Sequence, residues 1–104
     1  MNLDIEDITE ILRDAGTVYF GTGVAEDSRT AAKKAVKMCG DINRAKRVLI
    51  NVTAGTEIVL AELSEASYVA ERAADPEAQV IWGHVIDEGM SDSVRVSVFA
   101  AIFD

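Results

Sequence analysis

Val94-Arg-Val-Ser-Val-Phe-Ala-Ala-Ile-Phe103 is the stretch that decides the fold. In an extended chain Val94, Val96, Val98, Ala100 and Ile102 fall on one side. Phe99, Ala101 and Phe103 fall on the other, diluted by Arg95 and Ser97. Apolar side chains on both faces place such a strand inside a sheet rather than at its edge. Working back, residues 79–86 read as another strand, joined to the last by the acidic turn Asp87-Glu-Gly-Met-Ser-Asp-Ser93, so the two form a closing hairpin. Residues 47–53 alternate Val48, Ile50 and Val52 with Leu49 and Asn51, a further strand. Residues 17–24 are the fourth, with Val18, Phe20 and Val24 on one face and Tyr19, Gly21 and Gly23 on the other. The nearly bare glycine face lets a helix or another backbone approach closely.

Helical spacing fills the intervals. Ile5, Ile8, Ile11 and Leu12 form a stripe over residues 4–15, with Asp4 at the N-cap position and Gly16 as the stop. Asp27 or Ser28 caps a second helix, whose stripe is Ala31, Ala32, Ala35, Val36 and Cys39 and which Gly40 ends. A third runs over 57–74 and is ended by Asp75-Pro76, since proline cannot donate the next helical hydrogen bond. The order α-β-α-β-α-β-β predicts an α+β fold, a mixed sheet with helices packed on it.

The 104 residues make one small domain, 49% hydrophobic and 27% charged, which excludes a disordered or fibrous chain. A net charge of −8 argues against a nucleic-acid or anionic-membrane binder. The longest apolar runs are strand-sized and no basic-then-apolar leader opens the sequence. The single cysteine, Cys39, provides no internal disulfide and suits a reducing cytosol, so the expected location is cytoplasmic.

Candidate chemistry is sparse. Gly21-Thr-Gly23-Val-Ala-Glu26 follows a strand and precedes a helix as a dinucleotide fingerprint does, but Glu26 stands where a third small residue belongs and would repel a pyrophosphate. Glycines chosen for close packing are the better account. His84, the lone histidine, has no second ligand near it in sequence, so no metal site is expected. Cys39 sits on its helix's apolar stripe and reads as a buried thiol. Trp82 and Tyr68 could anchor a partner, but core packing is the default reading. Asp4 and Asp7, three apart at a helix start, project from one turn. Spacing alone makes them a cap and a dipole-complementing acid, ionised and better suited to orienting a water or cation than to taking a proton.

Several segments together resemble one family. Asn2-Leu-Asp4-Ile-Glu-Asp7-Ile is similar to the Asn-x-Asp-Phe-x-Asp-Val catalytic loop of the tubulin-like cell-division GTPase FtsZ. Gly21-Thr-Gly23-Val-Ala, Val48-Leu-Ile-Asn-Val-Thr53, Ala74-Asp-Pro-Glu-Ala-Gln-Val-Ile-Trp-Gly-His-Val-Ile-Asp-Glu88 and Val94-Arg-Val-Ser-Val-Phe-Ala-Ala-Ile-Phe-Asp104 resemble later FtsZ segments in the same order. The chain is thereby identified as resembling the C-terminal domain of that family over residues 1–104, with 1–7 a catalytic-loop remnant and 8–104 the domain body. Ile5 in place of Phe, Ala54 in place of a turn glycine and Ala101-Ile102 in place of Thr-Gly mark a divergent member.

The resemblance implies a four-stranded mixed sheet of chorismate-mutase-like topology. It implies that Asn2, Asp4 and Asp7 are catalytic, holding the attacking water against the GTP of the adjacent filament subunit. GTP, with its cation, would be bound mainly by an N-terminal GTP-binding domain absent from this sequence, and no cofactor or metal is expected in the domain itself. The implied partners are that N-terminal domain and neighbouring FtsZ-like subunits, with no nucleic acid and no direct membrane contact. The sequence looks like an excised domain, inactive alone, of a parent GTPase of the division septum. The alternative is a self-standing ligand-binding or enzymatic oligomer on a chorismate-mutase-like fold; another is a regulatory domain capping filament ends.

Overall fold

The structure, a computed structural model, describes residues 5–55, 60–90 and 92–103. In chain order the elements are α1 (Ile5–Leu12), β1 (Thr17–Ala25), α2 (Ser28–Cys39), β2 (Arg47–Ala54), α3 (Leu60–Ala73), β3 (Gln79–Ile86) and β4 (Val94–Ile102). The strands form a four-stranded sheet in the order β1-β4-β2-β3. β4 runs antiparallel to both β1 and β2, whereas β3 runs parallel to β2, with α3 as the crossover. The sheet is therefore mixed, and the inner place expected for the last strand is the one it takes.

The expected hairpin of β3 and β4 is not formed, because β2 lies between them. The apolar pattern explains this. β4 is buried along almost its whole length and needs a strand on each side, while β3 keeps Trp82 and Ile86 exposed and suits an edge.

α2 and α3 cover one face. Ala31, Ala32, Ala35, Ala66 and Ala70 pack on Val48, Ile50, Val52, Val96 and Val98, all buried. Small helix residues let α2 come down onto the glycines of β1. A Cβ on Gly21 would strike the Ala35 carbonyl and lie 2.9 Å from Cys39 Sγ, and one on Gly23 would lie 2.5 Å from Lys34 Cβ. These glycines are thus packing residues, as their spacing indicated. Ser28 Oγ, buried inside α2, donates to the Glu62 carbonyl oxygen at 2.9 Å and ties the helices together.

Asp27, not Ser28, is the N-cap of α2. Its carboxylate accepts the Thr30 N–H at 2.8 Å and the Thr30 hydroxyl at 2.9 Å, and these bonds hold its pKa below the ordinary carboxylate value. Gly40 closes the helix at φ 90°, a conformation that favours glycine, its N–H shared by the Val36 and Lys37 carbonyls. The expected start of α3 at residue 57 lies outside the described residues. Beyond its end, the Asp75 carboxylate accepts the Glu77 N–H at 2.8 Å and pairs with Lys46 Nζ at 3.1 Å.

α1 packs on β2 from the other face of the sheet. Leu49 and Ala101 are buried there, outside the helix-side core cluster.

Candidate functional site

The sequence singles out Asn2, Asp4 and Asp7, which stand just before or within the start of α1 in the chain. Asn2 and Asp4 lie outside the described residues, and Asp7 is described only as a backbone position in the first turns of α1. α1 follows that segment in the chain and packs on β2. Its Glu10 faces Arg47, Gln79 and Ile81 across an open recess of about 300 Å³ at the β2–β3 end of the sheet. Arg47 stacks its guanidinium over Phe103 at 5.0 Å, so a cation and an aromatic ring frame the same end.

The other sequence candidates separate. The Gly21–Gly23 segment has no concavity for a phosphate, since α2 occupies the space beside it. Cys39 is buried and its Sγ lies 3.8 Å from the Val98 carbonyl oxygen. Burial pushes its pKa upward, away from a nucleophile's. His84 lies half-buried on β3. Among the described residues no group of three His, Cys, Asp or Glu is placed to hold a metal. Tyr68 and Trp82, read as core from sequence, are 46% and 37% exposed. Tyr68 instead accepts from Arg72 at 2.9 Å on the outside of α3, a one-turn pair.

What sequence reasoning missed is the surface opposite the helices. Val18, Phe20 and Val24 point away from α2 and are 42%, 47% and 42% exposed. Phe20 leans on Phe99, ring centroids 4.9 Å apart. On the same face Asn51 Oδ1 is buried with no hydrogen-bond partner. The signal was present in β1. The glycines claim one face for α2, so its apolar residues had to face the side where, among the described residues, the one helix is the short α1.

Residues 16–104 match the FtsZ family, C-terminal domain. The chain belongs to the FtsZ family. It superposes on an empty FtsZ dimer structure from M. jannaschii with a TM-score of 0.76 at 30% identity, covering 97% of this chain and 31% of that one. The GTPγS-bound protofilament of CetZ2 from Haloferax volcanii shares the fold, with a TM-score of 0.70 at 17% identity over 94% of this chain and 33% of that one. This FtsZ-family domain therefore spans about a third of the length of the chains it matches. Its four-stranded mixed sheet with helices is the FtsZ C-terminal fold. The family match begins after α1, so Asn2, Asp4 and Asp7 lie before it. No helix among the described residues is long and apolar enough to cross a membrane.

Proposed function

We propose that this domain is the filament-facing part of a tubulin-like cytoskeletal GTPase, and that its Asn2-Leu-Asp4-Ile-Glu-Asp7 segment acts on GTP held by a neighbouring subunit. The observation that carries the reading is the mounting of that segment. It leads directly into α1, α1 is docked on the central strand β2, and the whole unit has the FtsZ fold. A short acidic segment next to a helix docked in this way can be presented across a subunit boundary.

GTP, bound chiefly by the rest of the parent protein, supplies with its cation the γ-phosphate under attack. The Asp4 and Asp7 carboxylates accept the hydrogens of a water and turn its lone pair toward that phosphorus, and the Asn2 amide fixes the water's third direction. Positioning of this kind is the larger part of phosphoryl-transfer catalysis. The domain alone is not expected to bind or turn over GTP.

The partners follow from the same reading. Neighbouring subunits meet the loop, while the N-terminal GTP-binding domain covers the open face, where Val18, Phe20 and Val24 lose water and the orphaned Asn51 Oδ1 gains a donor. The proposed setting is cytoplasmic filaments at the division septum. A self-standing enzyme for an anionic ligand is disfavoured by its cations. Arg29 pairs with Glu65 at 3.0 Å on α2, Arg72 is engaged with Tyr68 on α3, and Arg47 lies over Phe103 on β2.

In the full-length parent, Asp4→Ala and Asp7→Ala should each lower GTP turnover about 100-fold, the scale set by loss of positioning, with nucleotide affinity retained. Undiminished turnover in both variants overturns the assignment.

A further inference from the structure

Charge is segregated along this chain. Residues 28–46 hold six of its ten bases and one of its eighteen acids, a net +5 set against −13 for the remainder. α2 takes four of those bases, Arg29, Lys33, Lys34 and Lys37, and no acid. Its buried stripe of Ala31, Ala32, Ala35 and Cys39 faces the core, so Lys33 and Lys37, one turn apart, share the outward side. Arg29 is paired with Glu65 at 3.0 Å, whereas both of these lysines are exposed.

The opposite charge gathers at one end of the sheet. Glu26 just past β1, Glu62 in the first turn of α3 and Asp92 before β4 line an open recess of about 180 Å³. None of its described lining residues is basic. Met90 lines it too, an apolar wall along which the methylene stem of a lysine can lie.

We propose that the outward face of α2 in one copy docks Lys33 and Lys37 at the Glu26–Glu62–Asp92 recess of a second copy. Charge complementarity selects this occupant, because the chain itself carries both halves of the contact on separate surfaces. Exposed charge pairs are individually weak, so free domains meet with a Kd on the order of 1 mM. In the filament proposed above neighbours are already held close, and such a contact then acts through effective concentration. It uses neither the loop nor the open face, so it stands or falls apart from the GTPase reading.

The test is sedimentation equilibrium of the 104-residue chain at about 0.1–1 mM, near the expected Kd. Average mass should rise with concentration in about 0.1 M salt. It should return to the monomer's in about 1 M salt, where screening cuts charge interactions to roughly 3 Å. Association should also weaken in about 0.01 M salt, since the net −8 of each copy then repels over roughly 30 Å. Lys33→Gln with Lys37→Gln should leave a monomer, and so should Glu26→Gln with Glu62→Gln and Asp92→Asn. The acid variant takes the net charge from −8 to −5 and eases general repulsion, so its loss of association marks a specific contact. Mixing the two variants should restore association, because each keeps the half that the other lacks. Association that grows towards 1 M salt, variants that associate like the parent, a mixture that stays monomeric, or no association at about 1 mM would each overturn the proposal. So would binding to phosphatidylglycerol vesicles by a chain that does not self-associate. Circular dichroism checks each fold; if the acid variant unfolds, the lysine variant and the salt profile decide.

Discussion

Gly23→Ala tests how closely α2 sits on β1. Gly23 has ordinary strand geometry, so alanine meets no backbone strain there and the whole effect comes from contacts. The added methyl would lie 2.5 Å from Lys34 Cβ and 2.9 Å from the Ala35 nitrogen, and would overlap the Ala31 carbonyl oxygen. Those neighbours belong to the α2 backbone or its first side-chain carbon, which no rotamer change can move. The helix must lift, loosening Ala31, Ala32, Ala35 and Cys39 from the core. Overpacking of this type costs about 1–3 kcal/mol, here at the upper end. Loss of unfolded-state freedom returns about 0.4–1 kcal/mol. The net destabilisation is about 2 kcal/mol, which in a domain of this size lowers Tm by about 10 °C. Urea unfolding followed by far-UV circular dichroism measures it, with Gly89→Ala as control. There the methyl meets only the Asp87 carboxylate at 3.2 Å in a turn, and the change should stay within about 0.5 kcal/mol. A Gly23→Ala protein as stable as the parent would refute the close approach.

Two further outcomes follow from local chemistry. Ser28→Ala should cost about 1 kcal/mol in urea unfolding, since it removes the buried bond to the Glu62 carbonyl that joins α2 to α3. Asp27 has a folded-state pKa below its unfolded value of 3.8, so its contribution to stability is present above that value and lost as pH falls through the lowered one. Asp27→Asn should accordingly flatten the acid limb of the stability–pH curve, with the Asp75 carboxylate, lowered by Glu77 and Lys46, accounting for part of what remains.

Much of this architecture was legible because its signals are local. Apolar residues on both faces of β4 marked an inner strand, and the bare Gly21–Gly23 face foretold the seat of α2. Strand partners were less legible. A short acidic turn between two strands looks the same whether they pair directly or straddle β2, and only the competition for the interior settles it. The exposure of Tyr68 and Trp82 was hidden for a similar reason, since an aromatic on a helix or edge strand carries no mark of what lies above it. At the site, the character of Asp4 and Asp7 came from a family pattern, because three-residue spacing at a helix start also describes an ordinary cap. The open face needed both halves of the β1 pattern read together, glycines for α2 and Val18, Phe20 and Val24 for something else.

The central claim is that the loop acids work in the neighbouring subunit's site, and mixing tests it most directly. One full-length parent variant carries Asp4→Ala and Asp7→Ala with its GTP-binding domain intact; the other keeps both acids but cannot bind GTP. Each alone should be nearly inactive, and co-assembly should restore turnover, because the intact loop of one then meets the nucleotide of the other. Turnover in the copolymer no higher than the sum of the separate variants would contradict the account.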